Sequence, residues 1–422
     1  MSAIPGPRSR ALQSRLAARE SPNVTYLSED FPVFWDQANR ASVTDVDGNR
    51  YTDLTAAFGV ASAGHANPAV VAAVADQAER LMHGMGDVHP TEVRVRLLER
   101  LAQVLPSGLD AFFLATTGSE AVEAAMKTAV LATGKRRFAS YSGAYHGLSL
   151  GALGLCGIER FRAPFADLLP QRPVLLDFPH AGVSVDDALA TARATLGHHD
   201  DVAALFVEPI QARGGCIVPP LGYLRGLQQI CAELHVLLVF DEIYTGFGRT
   251  GAWFAAQFEG VAPDMLCIGK AMGAGFPISA LAARAGVMRA WPRSEGESLH
   301  TSTFLGNPMA CAAALATIDE VERLGLPARA KRLGEDLGPR LEALARTRGV
   351  LDVRGRGLMW GIEMRDGTAA ERVVKGALAR GIIVLQSGVR GEVVSLTPPI
   401  VIGEEELERA LVLLEAILRE AA

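Results

Sequence analysis

Two apolar segments end in groups able to do chemistry. Val239-Phe240-Asp241-Glu242-Ile243-Tyr244 places a carboxylate, Asp241, at its close, and 29 residues later Met265-Leu266-Cys267-Ile268-Gly269-Lys270 ends on an amine. A lysine just beyond a buried strand is partly desolvated, which lowers its pKa and makes the amine a competent nucleophile. A third segment, Ala115-Thr116-Thr117-Gly118-Ser119-Glu120-Ala121, follows another apolar run and opens a helix. Thr117 or its neighbour can cap that helix, and Gly118 lets the backbone approach a bound group. The free N–H groups and the helix dipole then favour an anion such as phosphate. Tyr145-His146-Gly147 supplies an aromatic face that can stack on a planar ring. Taken singly, each of these is equally well an ordinary loop, cap or packing residue.

Together they match what pyridoxal phosphate (PLP) chemistry requires: a lysine for the Schiff base, an aspartate on the pyridine nitrogen and a cup for the phosphate. The aspartate keeps the nitrogen protonated, so the ring can accept electrons from a substrate carbanion. A non-enzymatic protein that binds a nucleotide at Thr117–Ser119 is the reading from another class, and it leaves Asp241 and Lys270 without a role.

Residues so far apart in sequence need a scaffold that gathers strand ends. The middle of the chain alternates short apolar runs, at Ala111–Ala115, Arg137–Tyr141, Val202–Val207, Val236–Phe240 and Met265–Ile268, with helical patterns such as Gly118–Thr133 and Gly222–Leu234. That alternation predicts a mostly parallel sheet covered on both faces, with ligands at the carboxyl ends of its strands. Before it, alternating residues around Asp47-Gly48 predict a hairpin over Ser42–Leu54, and helical spacing begins near Asn67 with Val70, Val71, Val74, Ala78 and Leu81. After Pro308, long helices at Met309–Leu324 and Pro327–Thr347 precede strands at Leu351–Val353, Leu358–Met364 and Ile382–Leu385. A final amphipathic helix, Glu404–Ala421, carries Leu407, Leu411, Leu414 and Leu418 on one stripe. The expected organisation is an arm with a small β segment (1–60), a large domain (61–325) and a small α+β domain (326–422).

The 422 residues, 49% hydrophobic, suffice for two or three units. A net charge of −6 without a long basic run argues against nucleic acid or an anionic membrane as the main partner. No apolar run approaches the ~20 residues a membrane span needs. Five scattered cysteines show no metal-ligand spacing, so no metal site is expected, and they read as reduced, buried thiols of a cytoplasmic protein. The Arg-rich N-terminus, MSAIPGPRSRALQSRLAARE, lacks the apolar stretch of a secretory signal; its composition alone also suits a transit peptide, but Glu20 and the absence of other signals favour a surface arm.

The segments TTGSEA, YHG, VEPIQ (Val207–Gln211), DEIYTGFGRTG (Asp241–Gly251), IGKAMGAGFP (Ile268–Pro277) and STFLGNP (Ser302–Pro308) stand in the order and spacing of class III aminotransferases, and the chain resembles that family from about residue 30 to 420. The resemblance implies fold type I: a large α/β domain with a mostly parallel, seven-stranded-type sheet, and a smaller α+β domain from the N- and C-terminal segments. It implies PLP as cofactor, an amino donor and an oxo-acid acceptor as substrates, and a ping-pong transfer. Position by position it implies Lys270 as the Schiff-base lysine and proton shuttle, and Asp241 on the pyridine nitrogen. Gly118 and Ser119 match the phosphate site, Tyr145 and Ile243 the two ring faces, and His146 and Glu208 lie beside the cofactor. Thr303 resembles the threonine that reaches the phosphate of a neighbouring subunit, which implies a homodimer and leaves pairing into tetramers open.

Three positions depart from the family pattern. Tyr244 stands where many members have a glutamine that contacts the phenolic oxygen of the cofactor, and its hydroxyl can supply a similar hydrogen bond. Leu148 and Ser395 stand where many members have arginines for substrate carboxylates. An Arg–carboxylate pair is directional and charge-assisted, so this is a large chemical change. Either Arg162, Arg213 or Arg390 substitutes, or one substrate is less anionic than 2-oxoglutarate. The same departures raise an alternative on the same fold, an amino-acid racemase, epimerase or aminomutase.

Overall fold

The computed structural model describes residues 4–169 and 172–421. Seven strands form the central sheet: β1 Leu109–Ala115, β2 Arg137–Tyr141, β3 Val174–Leu176, β4 Val202–Val207, β5 Leu237–Asp241, β6 Met265–Ile268 and β7 Ser279–Arg284. Their spatial order is β1-β7-β6-β5-β4-β2-β3. The run from β6 to β3 is parallel, while β7 is antiparallel to both β1 and β6. All five expected strands lie in this sheet, shifted by a residue or two at some ends. Sequence reading passed over β3, which is only three residues long, and β7, whose Ser-Ala-Leu-Ala-Ala-Arg is poor in β-branched residues.

The strands are apolar on both sides because both faces are covered. In β5, Leu238 and Phe240 join the core that contains Leu97, Tyr223, Leu227 and Ile230, while Val239 faces the core with Ala121, Ala125 and Phe206. In β6, Leu266 and Ile268 share the first face and Met265 and Cys267 the second. This period-two partition is what a strand buried between two helical layers requires.

The helix α1, Gly118–Thr133, opens directly after β1. Thr117 caps it in a reciprocal arrangement: the Glu120 N–H donates to Thr117 Oγ1, and the Thr116 and Thr117 N–H groups donate to Glu120 Oε2.

Two smaller sheets flank this layer. In one, the hairpin Ser42–Asp45 and Arg50–Asp53 turns at Asp47-Gly48 as expected, and Ile382–Ile383 adds in parallel beside Arg50–Asp53. In the other, Val350–Arg356, Met359–Met364, Val393–Leu396 and Leu385–Ser387 pair antiparallel. The single strand expected at Ile382–Leu385 is therefore two short ones in different sheets, because the chain crosses from one to the other at Val384. The helix Glu404–Ala421 has the expected bounds and buries Leu407, Leu411, Leu414 and Leu418. The N-terminal arm contains a helix, Pro7–Ala17, whose Arg8 and Ser9 N–H groups donate to Asp47 at 2.8 and 2.9 Å; residues 1–3 of the expected arm lie outside the described residues.

Arg249 joins the central layer to the C-terminal part. Its side chain is fully buried, and it donates from Nη1 to the carbonyls of Leu358 and Pro398 and from Nη2 to Ser62 Oγ. Burial pulls its pKa down to about 10. Replacing it leaves several buried acceptors without donors, each costing ~1–3 kcal/mol. Arg249→Leu is expected to lower unfolding free energy by about 3 kcal/mol or more, read as an earlier urea midpoint at fixed protein concentration.

Candidate active site

The register of two parallel strands brings the acid and the amine together. Asp241 in β5 sits opposite Cys267 in β6, and Lys270 follows Cys267 by three residues. Lys270 has φ +45°, a left-handed conformation that a residue with a Cβ adopts at a cost of order 1–3 kcal/mol. Its Nζ lies 4.5 Å from the centroid of the Tyr244 ring. Desolvation lowers its pKa, against the opposing pull of Asp241 and Glu208.

Asp241 is 5% exposed, and both of its oxygens are held. Oδ1 accepts from the Ile243 N–H at 3.1 Å, and Oδ2 lies 2.8 Å from His146 Nδ1. Burial works against a charged imidazole at His146, but the hydrogen bond and charge of Asp241 outweigh it and raise the pKa above 6.5. His146 Nε2 is buried and has no partner among the described residues.

Glu208, at the end of β4, ties two other segments together: Oε1 accepts from the Tyr145 N–H at 2.9 Å and Oε2 from the Ala212 N–H at 3.0 Å. Burial pushes its pKa up to about 7.

The glycines of the motifs mark close approaches. A Cβ on Gly118 would stand 2.8 Å from Ile243 Cδ1, and one on Gly147, at φ +120°, would stand 2.1 Å from Ser119 Oγ. The N–H groups of Gly118 and Ser119, at the first turn of α1, have no intrahelical acceptor and face an anion by default.

These residues surround a cavity of about 980 Å³. Gly118, Ser119, Tyr145, His146, Glu208, Asp241, Ile243, Tyr244 and Lys270 all line it; Thr303 is exposed and lies away from it. The Tyr244 hydroxyl is engaged with Thr397 Oγ1 at 3.1 Å, so the ring rather than the hydroxyl faces Lys270. Phe58, Phe161, Arg213, Cys216, Gln386 and Ser387 also line the cavity. They come from scattered segments without a motif, and of the six only Arg213 could be singled out from sequence, by its charge. Among the described residues no cluster of His, Cys, Asp or Glu is placed to hold a metal ion.

The donor set fits PLP: a buried carboxylate held by an imidazole, a desolvated amine, and a glycine-lined helix N-terminus share one cavity. The chain matches the family model for aminotransferase class-III over residues 25–418. It belongs to that family. An acetylornithine aminotransferase of Methanosarcina mazei is 38% identical over 91% of each chain. A 4-aminobutyrate aminotransferase of Mycobacterium bovis is 39% identical, covering 99% of this chain and 97% of its own. The ornithine aminotransferase structure from Toxoplasma gondii superposes with a TM-score of 0.87 at 31% identity, covering 98% of this chain and 94% of that one. A PLP-bound amine transaminase from an uncultivated Pseudomonas species gives 0.88 at 29% identity, covering 96% and 98%.

The protein is thus a PLP-dependent class III aminotransferase that moves an amino group from a donor to an oxo acid. These relatives support transamination rather than the racemase or aminomutase alternative, and family membership sets aside the nucleotide-binding reading. Among the described residues no helix is long and apolar enough to cross a membrane.

The His146–Asp241 pair gives a signed pH dependence. Because the folded-state pKa of His146 is raised, its contribution to stability is full below 6.5 and is lost as pH rises through the higher folded value. The stability gap between wild type and His146→Asn is expected to be widest at acidic pH and to narrow towards alkaline pH, in urea titrations run at each pH.

Proposed function

We propose that Lys270 is the amine that holds the PLP aldehyde and that Asp241 holds the proton on the pyridine nitrogen. The observation that carries this is their placement at the ends of paired strands on one cavity wall, with Asp241 backed by His146. Bound there, PLP supplies a ring that takes up the electron pair left when a proton departs the nitrogen-bearing carbon of the substrate. Gly118 and Ser119 would bind the phosphate through their backbone N–H groups. Tyr145 and Ile243 would hold the ring faces, while Glu208 fixes Tyr145 by its backbone. Lys270, with its pKa lowered by burial, is the base that moves the proton at the substrate carbon. The names of the relatives, acetylornithine and 4-aminobutyrate aminotransferases, support a donor with a terminal amine, an amino acid or ω-amino compound, in a ping-pong exchange.

The working unit is a homodimer. Met82, Met85, Val88, Leu299 and Phe304 are 56–70% exposed on segments that pack together, with His83 and Phe304 ring centroids 5.4 Å apart and Asn307 Nδ2 donating to the Met82 carbonyl at 3.0 Å. Exposed apolar side chains gathered on one surface favour a protein partner. Thr303 lies within this segment, which supports its reaching the phosphate of the other subunit. The five buried, unpaired cysteines support a cytoplasmic protein. The separate cores of the central sheet and of the C-terminal helices support a division near residues 60 and 325.

Borohydride reduction followed by digestion and mass spectrometry is expected to place a phosphopyridoxyl label on the Lys270 peptide. An unlabelled peptide at that position would overturn the assignment. Lys270→Ala is expected to lose the label and turnover, and Asp241→Asn to lose about 10²–10³-fold in kcat. Phe304→Asp is expected to shift the protein from dimer to monomer in sedimentation equilibrium.

A further inference from the structure

Three arginines were candidates to replace the missing carboxylate partners, and their surroundings separate them. Arg162 is 6% exposed, and its Nη1 donates to the Gly154 and Cys156 carbonyls, both at 3.2 Å. Arg390 has a side chain 76% exposed, sits 3.8 Å from Glu392 and does not line the cavity. Arg213 lines the cavity and is half-buried. Its Nη1 donates to the Gln386 carbonyl at 3.0 Å, and its guanidinium carbon lies 5.9 Å from the centroid of the Phe161 ring. Among the described residues no ion pair involves it. The other cation nearby, Arg160, lies 4.9 Å from the same ring and repels it.

A guanidinium carries five N–H donors, and one bond to a carbonyl leaves most of them and the charge unmet. Half-burying an unpaired cation is unfavourable unless an anion completes the site. Burial does lower the pKa of Arg213. Two other charged residues of the lining, Glu371 and Lys375, are paired with each other at 3.0 Å, and Lys375 also with Asp30 at 2.9 Å. Ser395 Oγ is hydrogen-bonded to Ser387 Oγ and lies 3.8 Å from Cys216 Sγ, and Leu148 is 48% exposed at the rim. Ile210, Met359 and Leu385 make the intervening surface apolar.

We infer that Arg213 is the residue that takes a substrate carboxylate, and that its ligand is the oxo-acid acceptor, with a carboxylate beyond an apolar stem. The inference rests on the aminotransferase reading of this cavity and names the specificity-determining group within it. An oxo acid always carries a carboxylate, whereas an amine donor need not, and an apolar amine fits beside Phe161 and Met359 without using the guanidinium. Arg213 acts on binding, not on the proton steps at Lys270.

The probe is glutarate, a dicarboxylate without a reactive carbonyl, titrated into the PLP-loaded enzyme by calorimetry. Arg213→Gln is expected to weaken glutarate and raise KM for 2-oxoglutarate by about tenfold or more, leaving kcat and the half-reaction with benzylamine within about twofold. Arg213→Lys restores part of the loss, since a point charge replaces a fork. Arg390→Gln behaves as wild type, and thermal midpoints verify that each variant is folded. Glutarate affinity within about twofold of wild type in folded Arg213→Gln, or no glutarate binding by wild type, overturns the inference. Arg213-dependent glutarate binding by an enzyme that transfers no amino group would uphold it while removing the functional reading.

Discussion

The site depends on a single register: Asp241 of β5 opposite Cys267 of β6. A slip of one residue would send every side chain of a strand to the other face, so the alternating burial of Leu238, Val239 and Phe240 enforces that register throughout the core. Once it is set, the carboxylate emerges at the strand end beside the turn that carries Lys270. A carboxylate so buried needs partners. It finds the Ile243 N–H within its own turn and His146 from the segment after β2. The same need recurs at Glu208, whose two oxygens accept from the Tyr145 N–H after β2 and from the Ala212 N–H of its own segment. Each acid therefore acts as a rivet between strand ends, and the side chains lining the cavity inherit the rigidity of the sheet.

Rivets of this kind extend beyond the cavity. Glu242, next to Asp241, is fully buried and accepts from the Ala255 and Ala256 N–H groups and the Thr245 hydroxyl. Arg249, a few residues on, binds carbonyls from two C-terminal segments. The run from Asp241 to Gly251 is thus fastened at three places: at the sheet, to its own loop and to the C-terminal part. Gly357, whose added Cβ would stand 2.5 Å from the Thr250 carbonyl carbon, shows how close the last contact is. Such a segment cannot shift by an ångström without leaving buried polar groups unmet.

What could be read from sequence follows the strength of local signals. The five expected strands, β1, β2, β4, β5 and β6, are mostly apolar runs between helical patterns, and the helix Glu404–Ala421 shows a clean stripe, so both were legible. Strand β7 was not, because its Ala-rich sequence owes its conformation to hydrogen bonds with β1 and β6 and not to propensity. The break at Val384 was not legible either, since pairing partners more than 300 residues away, such as Thr52 for Ile382, decide it. Within the site, the motif residues converge on one cavity, but the hydroxyl of Tyr244 turns to Thr397, a contact across 153 residues that no spacing rule reveals. Thr303 is exposed and does not line the cavity of its own chain, and its expected place at a neighbouring subunit's phosphate is a contact that one chain cannot display.

The charge balance of the cavity explains why one cation stands apart. Asp241 is compensated by His146, which its carboxylate holds protonated to higher pH than an ordinary imidazole. Lys270, its pKa lowered by desolvation, has an amine that gives up its charge more readily than a surface lysine. Glu208, its pKa pushed up to about 7 by burial, takes a proton more readily than a surface carboxylate. These groups approach neutrality among themselves, which a low-dielectric pocket favours. Arg213 is outside that balance: it is permanently charged, half-buried and flanked by Arg160 instead of an acid. With Leu148 and Ser395 neutral, this guanidinium, bonded to the Gln386 carbonyl but in no ion pair among the described residues, is the feature we infer to tell an anionic substrate from an apolar one.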